Sequence, residues 1–269
     1  MANDVTKNMT FFEHIEELRW HIFRSIVLIV IISIILLFFK DFIFEELIFG
    51  PLNKDFYTYK ILCSIAPDFC VKEIPFELMN TELAGQFLIH LQTTFLLGFI
   101  ISIPYIFWEL WKFISPALYK SESAYAKKIL GAGAFLFFIG VLFAYYLVTP
   151  LSILFFCTYS VSTKIINRFS IDNYFSFLSS TIIWCGLAFE LPIFIYFLSK
   201  MGLITPKFLI DYRKHLYIAI LLIAAAITPS PDVLSQIMVA IPLFILYEAS
   251  IIVSQRVKSN QEAEELKND

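Results

Sequence analysis

The residues of this chain with chemical potential are acids in unusual places. Glu190 lies within residues 181–198, an otherwise apolar stretch long enough to enter a bilayer. A charge near the centre of a membrane helix costs about 2.5–3.5 kcal/mol on insertion scales, so such a residue normally faces a bundle interior or a wet cavity. Other acids stand in polar segments: Glu13, Glu16 and Glu17 near the N-terminus, and Glu122 in residues 112–128. Glu190 is open to three roles, a structural carboxylate paired with Ser, Thr or Trp groups of neighbouring helices, a proton relay, and the polar wall of a binding groove, while the N-terminal acids are open to recognition of a cation. Nucleophilic and metal catalysis find no support in the spacing. His14, His21, His90 and His215 are scattered, and no HExxH or GxSxG run occurs. The cysteines Cys63, Cys70, Cys157 and Cys185 lack metal-ligand spacing. No nucleotide loop is present. No enzyme activity, metal, cofactor or nucleic-acid partner is therefore expected.

The N-terminal acids share a helical segment. Phe11, Ile15, Leu18 and Ile22 recur at i, i+4, i+7 and i+11, with the three glutamates on the other side. This predicts an amphipathic helix at the cytoplasmic interface ahead of the first span. Helices that only grip an anionic leaflet are usually rich in Lys and Arg, whereas an acidic one suits a cationic partner. Local roles compete for two of the acids. Thr10-x-x-Glu13 forms a capping box, and Glu16 can pair with Arg19 at i+3. Glu17 has His21 rather than Lys or Arg at i+4, which leaves it for a partner. Glu122 is open both to neutralisation by Lys120 or Lys127 and to function. Near the C-terminus Asp232 can cap a helix, Gln236 is a polar residue in a short hairpin, and Glu248 can snorkel. Glu109 gains no role from its surroundings.

The elements that carry these residues are membrane helices. Of 269 residues 59% are hydrophobic and 16% charged, against about 25% charged in soluble domains. The apolar residues fall in six blocks, expected as spans near 22–39, 87–111, 129–156, 177–198, 216–227 and 233–253. The fold class is an all-α membrane protein, with residues 1–255 as one polytopic domain and 256–269 as a charged tail. The first block follows a polar head and no A-x-A-like site follows it, so it reads as a membrane helix rather than a cleaved signal. The termini and loops on one side, counted with Arg24 at the first turn of the first span, carry 14 Lys and Arg, those on the other side 6. The positive-inside rule puts both termini in the cytoplasm. Cys63 and Cys70 then share an external loop, as a disulfide or as two free thiols.

The last two spans are short. Residues 216–227 reach about 18 Å as a helix, against a hydrocarbon core of about 30 Å. This hairpin is either buried in protein or thins the bilayer locally. Thr205-Pro206 predicts a capped helix start that carries Lys207, Arg213 and Lys214 into span five. Gly131, Gly133 and Gly140 permit close helix approach, and Pro104, Pro150, Pro192 and Pro242 are expected to kink their helices. No inverted repeat is visible. That counts against a proton-coupled solute transporter with Glu190 as relay, and an intramembrane hydrolase lacks a nucleophile–base pair.

Several motifs occur together in order. His14-Ile-Glu-Glu-Leu-Arg19 precedes the first span. Pro104-x-x-x-Trp108-x-x-Trp111-x-Phe113-x-x-Pro116-Ala-Leu-Tyr-Lys-x-Glu122 ends the second. Phe189-Glu190-Leu-Pro192 lies in the fourth, and Tyr212-Arg-Lys precedes the fifth. Thr228-Pro-x-Pro-Asp232-x-x-Ser-Gln236 and Ala240-Ile-Pro242-x-x-x-Leu246-Tyr-Glu248 complete the set. Over residues 10–255 this resembles the TatC family, the signal-peptide receptors of the twin-arginine protein translocase. The resemblance implies a glove-shaped, concave bundle of six helices with both termini cytoplasmic, in a bacterial inner membrane. It implies binding of the twin-arginine motif of signal peptides on folded cargo. It also implies assembly with TatA and TatB single-span partners, self-association, and use of the proton motive force.

By resemblance, Glu17 and Glu122 contact the two signal arginines, with Phe113, Leu18 and Arg19 at the same recognition surface. A guanidinium is always charged and offers a carboxylate a bidentate fork that lysine reproduces poorly, which gives this pairing its physical basis. Glu190 and Pro192 then form the polar wall of the groove, while Asp232 and Gln236 mark the edge for a partner helix. Two features depart from the family pattern: an extra acid, Glu16, precedes Glu17, and Ser230 stands between the hairpin prolines.

Overall fold

The computed structural model describes residues 11–65, 77–114, 123–158, 162, 168–227 and 233–268. The chain runs α1 (Phe11–Leu36), α2 (Tyr57–Ile65), β1 (Glu77–Met79), α3 (Gly85–Ile114), α4 (Ser123–Phe143) and α5 (Thr149–Thr158). There follow β2 (Arg168–Ser170), α6 (Ile171–Ala188), α7 (Leu191–Lys200), α8 (Pro206–Asp211), α9 (Arg213–Ile227) and α10 (Val233–Asn268). Five stretches are long and apolar enough to cross a membrane: Ile15–Phe39, Gly85–Phe113, Gly131–Thr158, Ile171–Lys200 and Val239–Ser259. They overlap five of the expected spans, with ends that differ by up to seven residues. The expected span at 216–227 is α9, 15 residues and so about 22 Å long.

Two compact units are built from these elements, one from Met1–Phe39 with His90–Ala134, the other from Lys40–Ile89 with Phe135–Asp269. In the first, the amphipathic segment and the first span are one continuous helix, because no Gly or Pro interrupts residues 11–36. One stripe of α1 is buried at every fourth residue: His21, Ser25, Ile29 and Ser33. It lies against α3, where Gly98 lets the backbones meet. A Cβ at Gly98 would stand 3.0 Å from Ile29 O and would collide with the Ser33 hydroxyl. Small residues at such a crossing replace hydrophobic driving force, which lipid does not supply, with close packing. The hydroxyls of Ser25, Ser33 and Ser102 donate to carbonyls one turn back at 2.9, 2.7 and 2.7 Å, so none is buried unpaired. The opposite face of α1 exposes Phe23, Ile26, Ile31 and Ile34, a surface suited to lipid.

In the second unit the third span changes pitch before its proline. Residues Ala144–Val148 form a π-helical turn, and α5 continues through Pro150. Proline offers no N–H to Tyr146 O, and the hydroxyl of Thr58 donates to that carbonyl instead. A second π-helical turn, Phe42–Ile48, and the short turn Gly50–Leu52 follow the first span. Three tyrosines from other segments serve the carbonyls there. Tyr145 donates to Leu47 O at 2.8 Å, Tyr174 to Ile48 O at 2.5 Å, and Tyr59 to Pro51 O at 2.8 Å. Burial pushes the Tyr59 hydroxyl up from its ordinary range, so it stays a donor. Cys63, on α2, is disulfide-bonded, while Cys157 and Cys185 are buried free thiols. Cys70 lies outside the described residues. The sequence reading contains no strands, yet β1 and β2 pair in parallel, Glu77 opposite Arg168.

The fourth span is two helices. Pro192, at the start of α7, removes the N–H that would bond Ala188 O, and the chain turns through Phe189-Glu190 instead. The α4 and α6 backbones cross closely beside this break. A Cβ at Gly140 would stand 2.8 Å from Cys185 O and 3.0 Å from Gly186 Cα. Gly131, by contrast, has nothing within 4 Å. Helix α7 packs on α10, where the Ser199 and Ser254 hydroxyls meet at 2.7 Å. Thr205 caps α8 as expected, its hydroxyl accepting from Phe208 N at 3.2 Å, but the helix breaks at Tyr212 and restarts as α9.

Candidate functional site

The N-terminal acids separate cleanly in the first unit. Glu16 takes Arg19, the guanidinium donating to its Oε1 at 3.0 Å, with both side chains well exposed. Such an exposed i,i+3 pair contributes little stability, but it resolves which acid is engaged locally. Arg19 also lies over the Trp20 ring at 6.0 Å. Glu17 is half-buried, and its Oε2 is buried without a hydrogen-bond partner among the described residues. Together with Trp20, His21 and Arg24 it lines an open hollow of about 380 Å³. Leu18 is half-buried beside it. Phe113, from the end of α3, meets the His21 ring edge-on at 6.1 Å. Four sequence-predicted residues therefore gather in one neighbourhood: Glu17, Leu18, Arg19 and Phe113. The fifth, Glu122, lies outside the described residues, as does the Thr10–Glu13 capping box.

Beneath this hollow stands an acid to which the sequence reading gave no role. Glu109 is 1% exposed, and both its oxygens are engaged. Its Oε2 lies 2.5 Å from His21 Nδ1 and 3.9 Å from Arg24 Nη1, and Lys112 Nζ donates to Oε1 at 2.7 Å. A buried carboxylate is tolerated when it is paired and hydrogen-bonded on all sides, and this one is. The signal in the sequence is an acid in an apolar helix with Tyr105 at i−4 and Lys112 at i+3. Its main partner, His21, is 88 residues away, which no local pattern reports.

Glu190 holds the break in the fourth span. Its carbonyl accepts from Ile193 N and Phe194 N at 3.0 Å each, while its side chain makes no capping bond. Both carboxylate oxygens are buried with no well-formed hydrogen bond among the described residues, and the backbone of Phe137 is a polar group beside them. Pro192 is buried at the first turn of α7. A carboxylate held there without a well-formed hydrogen bond is an under-satisfied polar position between two apolar helices.

The last hairpin is held by polar clamps. Glu248 does not snorkel: it receives Arg213 Nη2 at 2.8 Å and the Tyr217 hydroxyl at 2.5 Å, tying α10 to α9. Tyr247 donates to Leu209 O at 2.6 Å and ties α10 to α8. Gln236 donates Nε2 to Leu221 O at 3.0 Å, across the hairpin. Asp232 and Ser230 lie outside the described residues. One face of α9 exposes Ile218, Leu222 and Ile223 while Ile220 and Ala224 are buried, so the hairpin presents an apolar side outward. Among the described residues no group of His, Cys, Asp and Glu side chains has metal-site geometry.

Residues 13–242 match the family model described as Sec-independent protein translocase protein (TatC). A translocase protein TatC of Blattabacterium sp. subsp. Periplaneta americana (strain BPLAN) is 43% identical over 253 residues, 91% of this chain and 95% of its own length. TatC of Aquifex aeolicus (strain VF5) is 34% identical, covering 92% of this chain and 95% of its own. TatCy of Bacillus subtilis (strain 168) is 32% identical, covering 95% and 92%. A crystal structure of the twin arginine translocase receptor TatC superposes with a TM-score of 0.68 at 32% identity, covering 91% of this chain and all of that one. A second, in DDM, gives 0.71 at 33%, covering 90% and 99%.

Proposed function

The chain belongs to the TatC family of Sec-independent protein translocase proteins, a multi-pass membrane component of protein transport, and on that premise we propose that it reads the twin-arginine motif of signal peptides on folded cargo. The two arginines dock on Glu17 and Glu122, with Phe113, Leu18 and Arg19 forming the surface around them. The single observation that carries this reading is the state of Glu17. Its neighbour Glu16 is already occupied by Arg19, while Glu17 keeps a buried oxygen without a partner at the edge of an open hollow. A buried acceptor without a donor costs about 1–3 kcal/mol, and an incoming guanidinium relieves that cost with a charge-assisted fork.

The rest of the cycle follows the family. The apolar part of the signal enters a groove whose polar wall is Glu190, with Pro192 fixing the turn that holds it. TatA- and TatB-type single-span subunits and further copies of this chain assemble around it, with the short last hairpin and its Asp232 and Gln236 edge as the partner-helix surface. The chain lies in a bacterial inner membrane with both termini cytoplasmic, where the 14 Lys and Arg of that side belong, and export draws on the proton motive force. Membership of a protein translocase family favours this over a solute transporter relaying protons through Glu190.

The test is peptide binding to the detergent-solubilised protein. An Arg-Arg signal peptide is expected to bind, and its Lys-Lys counterpart to bind at least about tenfold more weakly. Glu17→Ala with Glu122→Ala is expected to weaken the Arg-Arg peptide by about 10- to 100-fold. Unchanged binding in the double variant rejects the assignment.

A further inference from the structure

We infer that Glu109 is a positioning residue that keeps Glu17 open to an incoming arginine by holding the first helix's own cations. The inference rests on the reading of Glu17 as an arginine-binding carboxylate. Glu17, His21 and Arg24 stand at i, i+4 and i+7 of α1, and all three line the same hollow. A glutamate one turn N-terminal to a cation is the favourable order for a pair along a helix. Such a partner is also tethered, so it competes at a high effective concentration with any ligand that arrives from solution. His21 in its charged form stands one turn from Glu17, and Arg24, two turns away, reaches the same hollow by the length of its side chain, so each is a rival to the arginine of a peptide.

The structure shows neither of them on Glu17. His21 Nδ1 is 2.5 Å from Glu109 Oε2, and Arg24 Nη1 is 3.9 Å from the same oxygen. Lys112, from the same helix as Glu109, occupies the other oxygen at 2.7 Å. Glu109 is almost completely buried, and His21 is 8% exposed, so this cluster is fixed in place. Two members are half-open: Lys112, with a side chain 43% exposed, and Arg24, 55% exposed, which reaches both the cluster and the hollow. One buried acid on α3 thus draws the cationic groups of α1 inward, and Glu17 is left with a buried oxygen that has no partner. The extra acid Glu16 completes the arrangement by taking Arg19. Among the described side chains of α1, Arg19, His21 and Arg24 each face a carboxylate other than Glu17.

Removing the charge of Glu109 releases Arg24 toward Glu17. The Glu109→Gln variant, solubilised in detergent, is expected to bind an Arg-Arg signal peptide about three- to tenfold more weakly than the unmodified protein. Adding Arg24→Gln removes the released rival, and the double variant is expected to regain most of that loss. A purely structural role for Glu109 predicts no such recovery, since a second change in the same cluster compounds a packing defect. If Glu109→Gln does not yield folded protein, Glu109→Asp carries the same comparison. Its carboxylate is one methylene shorter and loosens the 3.9 Å Arg24 contact first. Glu17→Ala is measured alongside. Unchanged binding in Glu17→Ala rejects the arginine-docking reading itself. Loss in Glu17→Ala with no loss on changing Glu109, or with a loss that Arg24→Gln does not restore, overturns the inference about Glu109 alone.

Discussion

Single residues divide here into those whose neighbours in the chain explain them and those whose neighbours do not. Glu190 is of the second kind: an apolar run of the sequence surrounds it, and the structure gives its buried oxygens no well-formed donor. As the polar wall of a groove it needs hydrogen-bonding capacity rather than a titrating proton. Glu190→Gln keeps an acceptor oxygen at the same reach and adds donors, so export in whole cells is expected to stay within about twofold of normal. Glu190→Leu removes the polar group and is expected to reduce export severely. Loss of export in Glu190→Gln equal to that in Glu190→Leu would assign the residue a proton-relay role. The contrast with Glu17 and Glu109 shows what was legible at this scale. Glu17 could be singled out because helical spacing lists its rivals and finds no Lys or Arg at i+4. Glu109 could not, because its main partner, His21, reaches it from a helix 88 residues earlier. The assignment of Glu248 as a snorkelling side chain missed Arg213 and Tyr217 for the same reason.

At the scale of elements, apolar blocks of spanning length marked the helices, Pro150 and Pro192 the breaks and Gly140 a close contact, whereas Pro104 and Pro242 lie inside continuous helices. What they left out is how a break is repaired. The interruption at Pro150 becomes a π-helical turn because Thr58, from a distant loop, can serve Tyr146 O. The interruption at Pro192 becomes two helices with Glu190 between them. Three-residue strands are too short to leave a period in sequence, so the β1–β2 pair was invisible. The glycines were read more evenly than they deserve. Gly140 packs against backbone atoms of α6, which cannot rotate away, whereas Gly131 faces open space. Gly140→Val is therefore expected to destabilise the protein by about 1–3 kcal/mol, read as a lower melting temperature in detergent. Gly131→Ala on the same helix is expected to be neutral or slightly stabilising, since it also raises helix propensity. Equal effects at the two positions would show that the α4–α6 crossing is looser than its geometry.

For the molecule as a whole, five membrane-spanning helices follow from composition, because blocks of about 20 apolar residues have few other uses, and the sixth, α9, is an apolar helix too short to belong to that class. Orientation follows from a separate physical cause, the reluctance of Lys and Arg to cross. By the positive-inside rule, a charge asymmetry of 14 against 6 argues for a cytoplasmic side that carries the N-terminal acids, and with them Glu17 and the Glu109 cluster. The docking reading depends on that placement, so the placement is worth testing directly. Cys157 and Cys185 are buried, which keeps the native background quiet to a membrane-impermeant thiol reagent once Cys63→Ser and Cys70→Ser are made. In that background Lys60→Cys, at a position whose side chain is 63% exposed, is expected to label in intact spheroplasts. Ser259→Cys, at an exposed position of α10, is expected to label only after the membrane is opened. The opposite pattern would put Glu17 on the far side from newly made cargo. Arginine recognition at Glu17 would then be unable to initiate export, whatever its affinity in detergent.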